Sequence, residues 1–362
     1  MRKLFTLLFL PVMISSCSSD GDLLGKINDF DQGPMLENLG NNLILPAYQN
    51  LKETAEALNT SIQALAADPS VVNLASARTN LKEARLAWQY CSPYQFGPAE
   101  TYALSGVLNI YPIDLNQIER NLKEGTYDLS TLSNADARGF QTLGYFIYSS
   151  EMTDEELVSA FTSQQLEYVK AVSSQIAAAA SAVYTAWTAE GGNYIGTFTS
   201  EDSYGVNVGS SVGKLVNAMN LNFERNTRDG KIGIPAGVRS LGEPILTATE
   251  AYYAGYSVEL FEANMDAYYQ LYKGGDDVGI EEYLKAIEAT TTSNEDLSEK
   301  IDSQFQVIQG VSLNDPLTDQ ITNDIGPVLQ VFAEMQRLIV MFKTDMASSM
   351  GVVITYQDND GD

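Results

Sequence analysis

Histidine is missing from all 362 residues of this chain. Its absence removes the imidazole as general base, as activator of a nucleophile and as metal ligand, so a Ser-His-Asp triad and a histidine-bound zinc are both excluded. Basic residues are scarce: 21 Lys and Arg stand against 47 Asp and Glu, for a net charge of −26. That imbalance argues against nucleic acid as a partner, because binding phosphates needs clustered cations. Cysteine occurs twice, at Cys17 and Cys91. Beyond the first residues, no apolar run reaches the ~18 residues of a membrane-crossing helix. Gly230, Gly233 and Gly237 are too loosely spaced for a phosphate loop of the P-loop or dinucleotide type.

What is present supports a folded, exported protein. Apolar residues make up 44% of the chain, enough for a sizeable core. Arg2 and Lys3 precede an apolar stretch from Leu4 to Ile14, followed by Ile14-Ser15-Ser16-Cys17. A charged start, a short apolar run, small residues and then cysteine are the features of a lipoprotein signal. Residues 1–16 are therefore expected to be a signal peptide, with Cys17 carrying lipid. Acyl chains contribute about 0.8 kcal/mol per buried CH₂, so several together hold firmly. Residues 17–34, beginning Ser18-Ser19-Asp20-Gly21-Asp22, read as an acidic tether. This stretch resembles the acidic signal of some Bacteroidetes lipoproteins and suggests the cell envelope, at the outer membrane, on its periplasmic or surface face. With Cys17 acylated, Cys91 has no disulfide partner. Without a histidine to activate it, Cys91 reads as a buried structural thiol.

Heptad-like apolar spacing runs through most of the chain. Leu51, Ala55, Leu58, Ile62 and Leu65 draw one stripe on a helix over 43–67. Asp68-Pro69 ends it, and Leu74, Ala77, Leu81, Ala84, Trp88 and Cys91 draw the next over 70–91. Residues 92–150 are broken by Pro93, Pro98 and Pro112. Thr153-Asp154-Glu155-Glu156 predicts a capping box opening a helix that runs to about Ala189. Further helices are expected at 210–227, 243–272, 279–309 and 322–349, then a short strand or extended tail. The expected fold class is all-α, with two helical-bundle-like halves at 35–190 and 205–350 and little or no sheet. The acidic tail occupies 351–362, and its Asp358-Asn359-Asp360-Gly361-Asp362 is similar to half of a calcium loop.

Three segments carry a family resemblance. The first is Trp88-Gln89-Tyr90-Cys91-Ser92-Pro93-Tyr94-Gln95-Phe96-Gly97-Pro98. The second is Arg138-Gly139-Phe140-Gln141-Thr142-Leu143-Gly144-Tyr145. The third is Lys231-Ile232-Gly233-Ile234-Pro235-Ala236-Gly237, with Pro244 and Ala251-Tyr252-Tyr253 after it. Their order and spacing resemble the imelysin-like family, peptidase family M75. The resemblance implies an all-helical envelope protein of two halves, in a family linked to peptidase activity and to iron uptake. It also implies a metal or acid–base site built on a G-x-H-x-x-E motif and an earlier Glu. Here the His position is Gln141, the motif Glu is Gly144 and the earlier Glu is Ser92. All three expected groups are replaced together.

The leading expectation is therefore a non-catalytic binding lipoprotein whose ligand is a small molecule or peptide, tied to envelope uptake machinery. Its pocket is expected where Ser92, Phe96, Gly97, Pro98 and Glu100 meet Gly139, Gln141 and Gly144. Lys231, Gly233, Pro235, Gly237, Glu243 and Glu250 are expected to face them from the second half. No cofactor is expected. The alternative is iron or calcium held by Asp, Glu and Tyr side chains, which the acidity and 20 tyrosines permit without locating. A further alternative is a peptidase working through a carboxylate pair, with Glu100 the residue to watch.

Overall fold

The computed structural model describes residues 30–356. Cys17, the signal segment and the Asp358–Asp362 run lie outside the described residues. Among the described residues every regular element is helical, and β pairing is confined to one isolated bridge between Thr290 and Asp296. The fold is all-α, as its apolar spacing predicts.

Helices α1 (Leu45–Ala67) and α2 (Val71–Cys91) form the expected hairpin. Asp68-Pro69 interrupts the helical hydrogen bonds, and the Ser70 hydroxyl caps α2 by accepting from the Asn73 N–H. Leu51, Leu58, Ile62 and Leu65 of α1 and Leu74 and Leu81 of α2 are fully buried. Burying a Leu or Ile side chain stabilises a fold by about 1.5–3 kcal/mol, so these stripes anchor the first half. Cys91 is buried on the same stripe, and burial pushes its thiol well above the ordinary value. Helix α3 (Gly139–Ile147) packs on α2, and α4 (Ser163–Trp187) packs along α1 and against α3. Trp187, the last residue of α4, sits among the rings of Tyr48, Phe96, Tyr194 and Phe198.

Further along the chain come α5 (Ser211–Asn222), α6 (Ser257–Lys273), α7 (Leu297–Gln309) and α8 (Gly326–Val340). Helix α5 runs on as a wider π-helical segment, Phe223–Gly233. The bond from Ile234 N–H to the Asp229 carbonyl, 2.7 Å, spans five residues and shows the wider winding. Gly233 lets this segment close on α8, since a Cβ there would lie 2.6 Å from the Phe332 ring. Helix α6 lies against α2, and one apolar core runs continuously from Met35 to Val352.

Several expectations need correction. The helix opened by Thr153 stops at Ala160, and a second capping box, Thr162 with Gln165, starts α4. Helix 243–272 begins only at Ser257, because Ala251 (φ 54°) and Gly255 (φ 75°) turn the chain before it. The helix expected over 279–309 is two, Ile280–Ala286 and α7. Between them Glu288 and Asn294 take positive φ, and Asp296 caps α7 through the Glu299 N–H. The helix expected over 322–349 has its break at Asp324, between Leu317–Asn323 and α8. Gln32 to Pro34, placed in the tether by composition, belong to a helical segment, Gln32–Asn38. The tail at 351–356 is extended and unpaired with any described strand. It is held by Asn217, which accepts from the Thr355 N–H at 2.8 Å and donates to the Val353 carbonyl at 3.0 Å.

Candidate functional site

Where α2 meets the π-helical segment, the chain buries an ion pair. Lys231 and Glu250 have side chains 6% and 1% exposed and are in direct contact. The Lys231 ammonium also donates to the Gln89 side-chain oxygen at 2.7 Å. Glu250 Oε1 accepts from Gln89 Nε2 at 3.1 Å and from Asn109 Nδ2 at 2.8 Å. Both carboxylate oxygens are thus engaged, as a buried charge requires. Burial would raise the Glu250 carboxyl. Lys231, the Asn109 donor and the charge of Arg85 outweigh that and hold it below its ordinary value.

Arg85 stands one helical turn before Gln89 on α2 and is buried. Its Nη2 donates to the Phe140 carbonyl at 2.8 Å and to Gln141 Oε1 at 3.2 Å. Its Nε and Nη1 have no hydrogen-bond partner among the protein atoms. The guanidinium lies 5.9 Å from the centre of the Tyr256 ring. Gln141 in turn donates to the Thr249 carbonyl at 3.4 Å. A Cβ on Gly144 would lie 3.2 Å from Arg85 Nη2, so the guanidinium fills the space beside this glycine.

In front of the ion pair opens a cavity of about 380 Å³. Lys231, Gln89, Ser92, Asn109 and Tyr111 form part of its wall, with Arg225, Asn226, Thr227 and Gly230 from the π-helical segment. Ser92 accepts from Asn264 Nδ2 at 2.6 Å, and Asn264 Oδ1 accepts from the Thr227 hydroxyl at 2.7 Å. Burial, with the nearby Glu250 charge, raises Tyr111, so its phenol stays protonated. On the far side of the π-helical segment a second buried set fixes it in place. Arg228 pairs with Asp229 at 2.7 Å, and Glu224 receives Lys343 and the Tyr356 hydroxyl, each at 3.1 Å.

The expected site residues divide into three groups. Ser92 and Lys231 line one cavity, while Glu250 and Gln141 stand behind it, joined through Gln89 and Arg85. Phe96 belongs to the aromatic core, Gly97 (φ 56°) faces Tyr194, and Pro98 opens a short helix. Exposed Glu100 lines a different depression, with Tyr194 and Tyr356. Gly139, Gly233, Pro235 and Gly237 are backbone pieces. Gly139 has φ 82°, and a Cβ there would lie 2.6 Å from the Leu108 carbonyl oxygen. Gly237, also at φ 82°, packs on the backbone of Glu243, whose side chain faces solvent. The convergence expected of Phe96-Gly97-Pro98 with the other two segments is thus replaced by Gln89, Asn109 and Arg85. Arg85 and Gln89 were not singled out from sequence. Their signal was a polar pair four residues apart, flanking the apolar stripe of Leu81, Ala84 and Trp88.

The family motif implies a metal, and the residues here do not fit one. Gln141, Ser92 and Gly144, where the sequence resembles that motif, offer an amide, a hydroxyl and a hydrogen, and the adjoining charges are two cations against one saturated carboxylate. Among the described residues, no three His, Cys, Asp or Glu side chains gather as a metal would require.

The fold and site define an all-helical protein with a cavity beside a buried ion pair, where α2 meets the π-helical segment. The imelysin family model matches residues 44–324, and the chain belongs to that family. Its fold is similar to that of a Parabacteroides distasonis ATCC 8503 protein described as an iron-regulated protein A precursor. That match has TM-score 0.70 and 17% identity, and covers 91% of this chain and 95% of the other. It is also similar to an imelysin-like protein from Psychrobacter arcticum 273-4, with TM-score 0.65, 15% identity and coverage of 92% and 98%. Iron-regulated protein A of Synechococcus elongatus is 29% identical over 72 residues, a stretch spanning 20% of each chain.

Proposed function

We propose that this chain is a non-catalytic solute-binding lipoprotein of the cell envelope, anchored through Cys17 and serving uptake linked to iron. One observation carries the reading: the 380 Å³ cavity combines polar side chains with apolar wall and is built on a buried ion pair whose groups are already engaged. Glu250 is charged, held by its donors and made a poorer base by its lowered pKa. Burial lowers the Lys231 ammonium from its ordinary value, and its contacts with Glu250 and Gln89 keep it occupied. Such a cavity recognises a solute without transforming it. The iron link rests on the names of the relatives, and the anchor on the order of apolar run, small residues and cysteine.

Gly106 allows a direct test. It lines the cavity, and a Cβ built on it meets nothing within 4 Å. The wild-type protein and Gly106→Leu would each be incubated with a small-molecule extract of the cell envelope and growth medium. Bound solutes would be read by mass spectrometry, beside a peptide-hydrolysis assay. The expected result is a solute retained by wild type and lost from Gly106→Leu, with no turnover. Peptide cleavage that survives purification and stops in Gly106→Leu would sink the non-catalytic reading.

A further inference from the structure

We infer that the solute this cavity takes is a small organic oxyanion, carrying carboxylate or phosphate groups. The inference rests on the solute-binding reading above and names its ligand class. The chain has 47 acidic residues and 21 basic ones. Among the described residues, the wall of this cavity departs from that balance: it includes the cation Lys231 and no carboxylate. The wall is otherwise amide, hydroxyl, glycine and apolar surface, with Trp88 supplying a flat apolar side.

The charge behind the wall has the same sign. Glu250 is the nearby anion, and its oxygens are taken by Lys231, Gln89 and Asn109. Arg85 adds a second positive charge, felt at both Lys231 and Tyr111. The buried set of Arg85, Lys231 and Glu250 therefore carries one net positive charge. Two N–H groups of Arg85 bring no hydrogen-bonded counter-charge with them. A low-dielectric wall strengthens that field inside the cavity.

The neutral groups also favour an acceptor-rich guest. Asn222 accepts from the Tyr268 hydroxyl at 2.7 Å with its side-chain oxygen, so what it still offers is N–H₂. Tyr111 keeps its phenolic proton and can donate. Asn226, exposed on the π-helical segment, supplies an adaptable amide at the mouth. Asn109 and Thr227 offer acceptors, their donors being spent on Glu250 and Asn264, so an oxyanion would be held by the Asn222 and Tyr111 donors and by the positive charge of Lys231 and Arg85. A bare metal ion would meet repulsion here. Iron could enter only inside a chelate that is itself anionic.

The test is isothermal titration calorimetry on the mature lipoprotein in detergent, with citrate, inorganic phosphate, glucose and Ca²⁺ as probes. Citrate or phosphate should bind, more weakly at high salt, and glucose and Ca²⁺ should not. Stronger binding of citrate marks a polycarboxylate guest, and stronger binding of phosphate a phosphorylated one. Asn226→Asp is nearly isosteric, lies at an exposed position and places a carboxylate at the wall. It should weaken oxyanion binding at least tenfold while leaving the melting temperature of the unliganded protein unchanged. Should that variant fold poorly, Tyr111→Phe, which removes a donor from the wall, should weaken binding in the same direction. The inference is overturned if neither oxyanion binds, or if Asn226→Asp binds them as tightly as wild type. Glucose binding that is lost in Gly106→Leu would overturn the oxyanion but keep the solute-binding reading. Solutes retained equally by wild type and Gly106→Leu, with no probe bound, would end both.

Discussion

Glu250 and Lys231 show how much one residue can decide in this protein. Each is buried, and each is tolerable because the other is present. Removing one partner of such a pair typically costs about 3–5 kcal/mol, since the remaining charge stays buried without its counter-charge. Glu250→Gln should therefore lower unfolding stability by roughly that much at neutral pH, read by chemical denaturation. The loss should depend on pH in a defined sense. The Glu250 carboxyl sits below its ordinary 4.5 in the folded chain, so its contribution is complete above that value. It fades as pH falls through the depressed folded value, where wild type and Glu250→Gln should converge. A gap that stays constant down into strong acid would show that Glu250 is not held charged by this network.

Among the elements, the junction between Ala160 and α4 is the most instructive. Apolar spacing continues across it, so periodicity reads one helix where there are two. The break is made by Thr162, whose hydroxyl accepts from the Gln165 N–H at 3.2 Å while Gln165 accepts from the Thr162 N–H at 2.9 Å. Thr162→Ala removes one half of that exchange and should cost about 1 kcal/mol, seen as a lower denaturation midpoint with an unchanged slope. An unchanged midpoint would mean that tertiary packing of α4, and not its cap, sets the helix start. The π-helical segment makes the complementary point. It carries Lys231, Thr227 and Asn226 to the cavity, and it makes a close approach at Gly233 to the ring of Phe332, 99 positions away. Helical propensity does not signal such an approach, because it involves a distant packing partner.

At the scale of the whole molecule, the continuous core is the consequential feature. Apolar contacts run from Met35 to Val352, and α6 packs on α2 across the boundary that the Gly- and Ser-rich stretch at 190–210 suggests. Trp88 and Trp187 both lie in the first half, whereas helix content is spread over both. If the shared core couples the halves, denaturation followed by tryptophan fluorescence and by far-ultraviolet circular dichroism should give one coincident transition. Separate midpoints would show that each half unfolds alone and that the cavity between them is held by weaker contacts.

Local chemistry accounts for what could be read without coordinates. The all-α class, the α1–α2 hairpin, the burial of Cys91 and the first capping box follow from residues within a few turns of one another. The same holds for the absence of histidine, since a side chain's chemistry is visible in its name. The buried polar cluster was not local. Arg85, Gln89, Asn109, Lys231 and Glu250 come from segments up to 165 positions apart, and no spacing rule joins them. Glu100 and Glu250 looked alike as acidic neighbours of family-like segments. One is exposed beside a separate depression and the other is buried against Lys231. Sequence alone determined that histidine chemistry is excluded. Only the tertiary structure decided that Arg85, Lys231 and Glu250 form one buried, net positive cluster, because the sign of a buried site depends on which distant charges the packing brings together.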